Sequence, residues 1–377
     1  MRIPTSALVA ASLFAASLAP AGAAIHIPAA GSIITHPNIA TKVVPRSEAA
    51  KYLNPALVHD NVRTEGLKRA LKMAPRHMKA FRTKLPPGTI TNFLSDDSGY
   101  IFELAGSKVV GYLTDCSGAE GMKVDHSGNL WVACTNTGTV NEYAPGASSA
   151  TLTLVDNPGG ATYYTADVAV DSAGDVWASS LYAFYCTTYY CYFYPGQVSF
   201  WAAGSYSNGS SPTGTVTDTN INEEGFFLDA SPSGSDVYVD YEECTSTTCG
   251  FAADDISGST ITQFAPIGSI SFPGGLYYTG TGTVNLLDQD AHVITVFSGD
   301  VATGAYYGPT PENLEGGCDP VDTGYNAGDS EVAIGDAGCH SLDEGKLAAH
   351  HGHGSFKAKP NINFSLPIGA AFSPSDK

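Results

Sequence analysis

Positive charge is what this 377-residue chain has least of: 18 Lys and Arg stand against 37 Asp and Glu, a formal charge of −19. That balance excludes a general affinity for nucleic acid or anionic membrane, because both rest on basic side chains that neutralise phosphate. Charged residues of either sign make up only 15% of the chain, below the usual quarter. With 43% hydrophobic residues, this argues against disorder, coiled coil and collagen. Long apolar runs are also missing. The stretch from Ala7 to Leu18 falls short of the ~20 residues a membrane-spanning helix needs, and no later stretch qualifies. Several catalytic signatures are absent as well: no Gly-x-Ser-x-Gly, no P-loop, no Gly-x-Gly-x-x-Gly after a strand, and no His-Glu-x-x-His.

What the chain has in quantity is glycine (41) and tyrosine (20), the composition of β structure broken by many turns. The short apolar run follows Arg2 and precedes Ala21-Gly22-Ala23, the layout of a secretory signal over residues 1–23. No cysteine near that point offers a lipid attachment site. Secretion or a periplasmic location is therefore expected. The eight cysteines agree: an even number in an exported chain predicts disulfides, and zinc ligation lacks any Cys-x-x-Cys spacing.

Charge divides the chain in two. Residues 25–84 hold eleven Lys and Arg against three acids, whereas residues 85–377 hold six against 34. Residues 24–86 therefore read as a basic leader. Thr64 to Met73 has the pattern of a short helix, N-capped by Thr64 and interrupted at Pro75. Pro86-Pro87-Gly88 marks the boundary of the main domain, residues 87–377. Three readings of the leader stand: a solvated segment, a tethered strap lying across the acidic body, or a contact with an anionic cell surface, for which no hydrophobic anchor is present.

The body repeats itself. Val124-Asp125-His126-Ser127-Gly128-Asn129-Leu130-Trp131 returns as Val170-Asp171-Ser172-Ala173-Gly174-Asp175-Val176-Trp177. Longer or degraded copies start at Leu228 and Tyr325. Each joins two strands through a turn rich in Asp, Ser and Gly. Third strands follow, such as Thr139 to Tyr143 and Val293 to Phe297, and then fourth strands such as Thr151 to Leu154. Four strands per 40–60 residues is the period of a β-propeller blade. Inner strands near Glu120, Asp167, Glu224, Gly274 and Asp322 give five blades, and the segment from Ile90 onward supplies a sixth that lacks its inner strand. Leu366 to Ser373 looks like the missing piece. An all-β, six-bladed β-propeller of four-stranded antiparallel blades is predicted, with both chain ends in one blade; seven blades is the alternative.

Val284 to Phe297 resembles the NHL repeat, and Asp125 to Glu142 is similar to the repeat of virginiamycin B lyase-like and SMP-30/gluconolactonase-like propellers. The resemblance covers roughly residues 90–375. The lyase resemblance implies a catalytic His with a nearby Glu and Mg²⁺; no matching His/Glu pair stands at the corresponding positions. The lactonase resemblance implies Glu, Asn and Asp ligands around Ca²⁺, a set that Glu120 or Glu224 with Asn222 and Asp322 would imitate. Alignment of the blades pairs Cys116 with Cys134 and Cys318 with Cys339. It also makes Cys186–Cys191 and Cys244–Cys249 the clasps of two loops between second and third strands.

Propeller ligands sit at the channel mouth, where loops from several blades meet. Glu120, Asp167, Glu224, Asp319 and Asp322 recur near the approach to inner strands. Converging carboxylates suit Ca²⁺, whose ligands at ~2.4 Å must come from several segments. Asp288, Asp290 and His292 lie between a second and a third strand, as further metal ligands, as a general base at His292, or as an ordinary polar turn. Taken together, the metal candidates are Glu120, Asp167, Glu224, Asp288, Asp290 and Asp322. The tract His350-His351-Gly352-His353 reads as a solvated linker.

The most unusual segment runs from Tyr182 to Tyr194, eight aromatics around a Cys186–Cys191 clasp. Tyr185, Tyr189, Tyr190 and Tyr192 are candidate contacts for a glycan or protein, since rigid amphipathic rings suit both. Packing between blades is the alternative for some of these rings. The expected function is that of a secreted, monomeric binding module whose acidic mouth and aromatic hairpin meet a small molecule, glycan or protein. A Ca²⁺-dependent lactonase-type hydrolase, or a lyase of the virginiamycin B type, is the alternative.

Overall fold

The computed structural model describes residues 42–47, 81–82, 84–85, 89–96, 99–106, 108–157, 162–216, 221, 224–244, 248–257, 260–298, 301–307, 319–326, 328–346, 355–358, 364 and 367–373. The expected export signal, the helix expected over Thr64 to Met73, Pro86 to Gly88, Asn222, Cys318 and the histidine tract lie outside the described residues.

Two short strands come first, β1 (Lys42–Pro45) and β2 (Phe81–Arg82), and both pair with partners far along the chain. Next come β3 (Thr91–Asp96), β4 (Tyr100–Ala105) and β5 (Lys108–Leu113). The first complete blade is β6 (Ala119–Val124), β7 (Leu130–Cys134), β8 (Thr139–Tyr143) and β9 (Leu152–Val155). The second is β10 (Thr162–Val170), β11 (Val176–Cys186), β12 (Tyr190–Trp201) and β13 (Gly214–Val216). The third is β14 (Gly225–Ala230), β15 (Asp236–Cys244), β16 (Cys249–Ser257) and β17 (Thr260–Ile270). The fourth is β18 (Pro273–Tyr278), β19 (Val284–Asp288), β20 (Val293–Ser298) and β21 (Val301–Tyr307). The fifth is β22 (Pro320–Tyr325), β23 (Val332–Asp336), β24 (Ser341–Lys346) and β25 (Ser355–Ala358). The last strand, β26 (Pro367–Ser373), pairs with β3 and becomes the inner strand of the sixth blade, in the order β26-β3-β4-β5-β2.

The ring is therefore six antiparallel sheets closed by both ends of the chain, as the repeats predict. Closure leaves no blade interface open, and the only edges left are the short outer ones of the blades. Phe372 pairs with Asn92, and Gly369 N–H donates to Ser95 Oγ at 2.6 Å, so the last strand is fixed in register. Phe81–Arg82 pairs with Tyr112 and Gly111, which puts residues N-terminal to the Pro86-Pro87-Gly88 break into this same blade.

The repeated turn has a physical cause. Asp125 Oδ1 accepts the N–H groups of Ser127 and Asn129, each at 2.8 Å, and Gly128 adopts φ 83°. Asp171 Oδ1 holds Ala173 and Asp175 N–H groups at 2.9 Å around Gly174, φ 87°. Asn326 Oδ1 does the same for Ser330 and Glu331. A short acceptor side chain followed by a left-handed residue closes the first hairpin of each of these blades. Asp125 Oδ2 also receives Trp131 Nε1–H at 2.9 Å, tying the turn to a buried ring that packs between the first two blades.

Candidate functional site

The channel is walled by inner strands, and carboxylates on three of them stitch their blade to the next. On β10, Asp167 accepts its own neighbour Val168 N–H at 2.7 Å and, across the blade boundary, Leu228 N–H at 3.1 Å. Asp229 on β14 repeats this with Ala230 and Tyr278. Asp322 on β22 repeats it with Thr323 at 2.7 Å and Ala370 at 3.4 Å. Lys123 of β6 lies among these three carboxylates, buried, and donates from Nζ to the Leu276 carbonyl of β18 at 3.1 Å, across the channel. Its Nζ stands 6.0 Å from the Tyr277 ring centroid, and Tyr277 stacks on Tyr325 at 4.0 Å.

The electrostatics follow from this enclosure. Burial alone would lower the Lys123 pKa, but Asp167, Asp229 and Asp322 outweigh it and hold the ammonium above its ordinary range. Burial pushes Asp322 up to about 6 despite Lys123, and Asp167 likewise rises well above a normal carboxyl. The wall approaches closely enough to demand glycine. A Cβ at Gly121 would overlap the Asp167 carboxyl, and one at Gly275 would overlap that of Asp322. At the end of the channel formed by the first hairpin turns, Lys123, Asp229, Tyr277, Tyr325 and Phe372 line a cavity of about 20 Å³, room for little more than one water.

The structure thus brings Asp167 and Asp322 to one place and gives both a use there. Glu120 is buried on β6, with its carbonyl receiving Ser95 Oγ–H at 2.6 Å. Glu224 precedes β14, and its carbonyl accepts Glu242 N–H. Asp288 is buried at the end of β19, where it caps Ser271 and Ala291 N–H groups at 2.7 and 3.0 Å. Asp290 is exposed in the turn that follows. Among the described residues, only Glu242, Cys244 and Cys249 bring three potential ligand atoms within 4.8 Å of one another, and both of those cysteines are in a disulfide.

His292 has a structural explanation that the sequence also holds. It adopts φ 55°, as does His340, four residues after Asp336 in the next blade. Asp336 caps Asp319 and Cys339 N–H groups much as Asp288 caps Ser271 and Ala291. The same turn in the first blade has Gly138 at φ 61°. Asp-x-x-x-His in consecutive blades is thus a turn signature with histidine in the left-handed position, a repeat that residue-by-residue scrutiny of His292 misses.

Three clasps form as aligned: Cys116–Cys134, Cys186–Cys191 and Cys244–Cys249, with Cα separations of 5.1, 4.0 and 4.0 Å. Cys339 is disulfide-bonded as well. The last two pairs fasten the tips of β11–β12 and β15–β16, adjacent hairpins that outgrow the strands of the other blades. On the first of these, Tyr182 packs on Tyr164 at 4.7 Å and on Phe193 at 6.0 Å. Tyr194 is buried with Tyr163 and Ala183, and Tyr192 packs against them. Tyr189 and Tyr190, at the tip, are 75% and 50% exposed. Tyr185 lies in β11 opposite Tyr192. The packing alternative accounts for the rings of the stem, while the two at the tip are exposed.

These features define a six-bladed β-propeller with a plugged channel and two stapled hairpins on one face. No protein-family model matches the chain, and no curated protein matches it. Among solved structures it is similar to a propeller in a nidogen/laminin complex, at 11% identity and a TM-score of 0.54, over 76% of this chain and all of that one. It is also similar to a streptogramin B lyase (11%, TM-score 0.47, 78% and 91% covered) and to a catalytically inactive virginiamycin B lyase from Staphylococcus aureus with quinupristin (13%, 0.42, 77% and 92%). At these identities the likeness to the first of these shows the fold alone, a β-propeller. Among the described residues no helix is long and apolar enough to cross a membrane.

Proposed function

We propose that this chain is an exported binding module whose contact surface is the tip of the aromatic hairpin, and that its partner is a protein. The observation that carries this reading is the pairing of exposed Tyr189 and Tyr190 with a rigid stem: a disulfide, a packed ring ladder and paired strands hold them out at low entropic cost. Disulfides support an extracellular setting. The similar propeller in the nidogen/laminin complex is an example of this shape in a protein assembly. The channel carboxylates Asp167 and Asp322, by contrast, are engaged with backbone N–H groups and Lys123.

Tyr189→Ala and Tyr190→Ala test the reading in a binding screen against extracellular proteins, run beside a glycan array. Loss of one protein interaction in both variants, with melting unchanged, supports it; unaltered binding overturns it, and a glycan hit lost in both variants moves the ligand class. The enzyme alternative requires a cation held by residues such as Glu120, Glu224 and Asp322. Metal analysis of the purified protein with a Glu224→Ala control separates it: retained Ca²⁺ that the variant loses would favour the enzyme.

A further inference from the structure

The stapled hairpin of the second blade is longer than the blade can cover. Its outer strand β12 has twelve residues, but among the described residues the blade's own fourth strand, β13, pairs with Val198, Ser199 and Phe200 alone, well short of Tyr190 to Phe193. In the neighbouring third blade, β17 extends far enough for Ile270 to pair with Phe251, near the clasp. The tip of β12 would therefore present an unpaired edge. The direction of that edge follows from the hairpin. Thr187 N–H donates to the Tyr190 carbonyl at 2.8 Å, so the backbone groups of Tyr190 turn toward β11. Those of Cys191 and Phe193 then alternate outward.

The edge is filled by the basic leader. Lys42, Val43, Val44 and Pro45 pair antiparallel with Phe193, Tyr192, Cys191 and Tyr190. Arg46 N–H donates to the Tyr189 carbonyl at 2.9 Å, and the Arg46 guanidinium donates to the Thr187 carbonyl, also at 2.9 Å. With Arg46 opposite Tyr189 a hydrogen-bonded pair, Val44 opposite Cys191 is the next, and Pro45 falls in the position between, which uses no N–H. The sequence Val-Val-Pro-Arg thus fits this edge: a β-branched pair, a proline where no donor is wanted, and a cation for the turn carbonyls.

We propose that this edge is a strand-addition site for a partner protein, that the partner supplies an extended segment of the same chemistry (branched residues followed by arginine), and that the leader is a built-in competitor holding the site in cis. Four paired residues and one arginine are little to hold a strand, but its covalent continuity with β2 in the sixth blade lets it rebind at high effective concentration. A partner segment must displace it, so apparent affinity is reduced by the fraction of sites the leader covers. The inference rests on the proposed binding role of this hairpin and adds the partner's chemistry and its control.

The test uses the full chain and a fluorescein-labelled peptide of residues 40–49. Val44→Pro in the protein removes the central N–H of the leader strand and frees the edge; Arg46→Ala does so without a backbone change, should the first variant fold poorly. Fluorescence anisotropy should show the peptide binding either variant at least about tenfold more tightly than the wild-type chain, and a peptide carrying Arg46→Ala should bind more weakly. A peptide that binds wild type and both variants alike, or none of them, overturns the proposal. Tyr189→Ala should leave peptide binding intact, because the edge is backbone. Loss of tip binding and loss of edge binding are therefore separate results, and the first can stand without the second.

Discussion

Replacing Lys123 by Met is the most demanding test of how the channel is held. Lys123 is the cation among Asp167, Asp229 and Asp322, and its Nζ also bonds the Leu276 carbonyl on the far side of the ring. Methionine keeps much of the volume but leaves buried carboxylates without a counter-ion, a change that costs about 3–5 kcal/mol. Spread over a propeller of this size, that lowers the melting temperature by roughly 5–8 °C. The loss must depend on pH in one direction. Asp322 and Asp167 have folded pKa values raised above that of the unfolded chain, Asp322 to about 6. A raised acid favours the folded state below its folded pKa, and that stability is lost as pH rises through it. Without Lys123 these carboxyls rise further, so the variant should approach wild type near pH 5 and fall away from it toward pH 8. Differential scanning calorimetry across pH 5–8 reads both quantities. A variant that melts with wild type at pH 7.5, or whose deficit is no smaller at pH 5, refutes the account.

Asp156 is buried between two hydroxyls, accepting Ser199 Oγ–H at 2.5 Å and Thr165 Oγ1–H at 3.3 Å, and burial pushes its pKa up to about 7. Asp156→Asn should therefore gain stability over wild type at pH 8 and lose that advantage below pH 6, as seen by thermal melts at the two pH values. Removing the Cys116–Cys134 clasp, which spans 18 positions, should cost about 3 kcal/mol, against about 2 kcal/mol for Cys244–Cys249, which spans 5. Urea titration of the paired serine variants checks the order. Asp125→Ala deletes the acceptor for Ser127, Asn129 and Trp131 N–H groups and should cost about 2–3 kcal/mol, with a change in tryptophan emission marking release of Trp131.

The ring was legible because its signals are local and repeated. Each Asp-Ser-Gly turn carries its own explanation in a side-chain acceptor and a left-handed residue, so copies at Asp125, Asp171 and Asn326 announce hairpins wherever they occur. Closure was legible for the opposite reason: the segment from Ile90 onward reads as a blade without its inner strand, and β26 supplies that strand by pairing with β3. The carboxylates were harder. Asp167 and Asp322 look like ligands by type and position, but their use depends on which N–H of the following blade comes within reach and on Lys123 crossing the channel. Nothing in the spacing of Met122-Lys123-Val124 marks that lysine as the plug. The leader strand was least legible of all. Lys-Val-Val-Pro has no period to read, and its partner lies in another blade. Its reason for being a strand is not in its own sequence but in the mismatch between a twelve-residue β12 and a three-residue β13. A long hairpin beside a short fourth strand is a readable sign of a missing edge partner, and it directs the search to whatever extended segment the chain has left unassigned. Here that segment ends in Pro45 and Arg46, the two residues whose chemistry the edge requires.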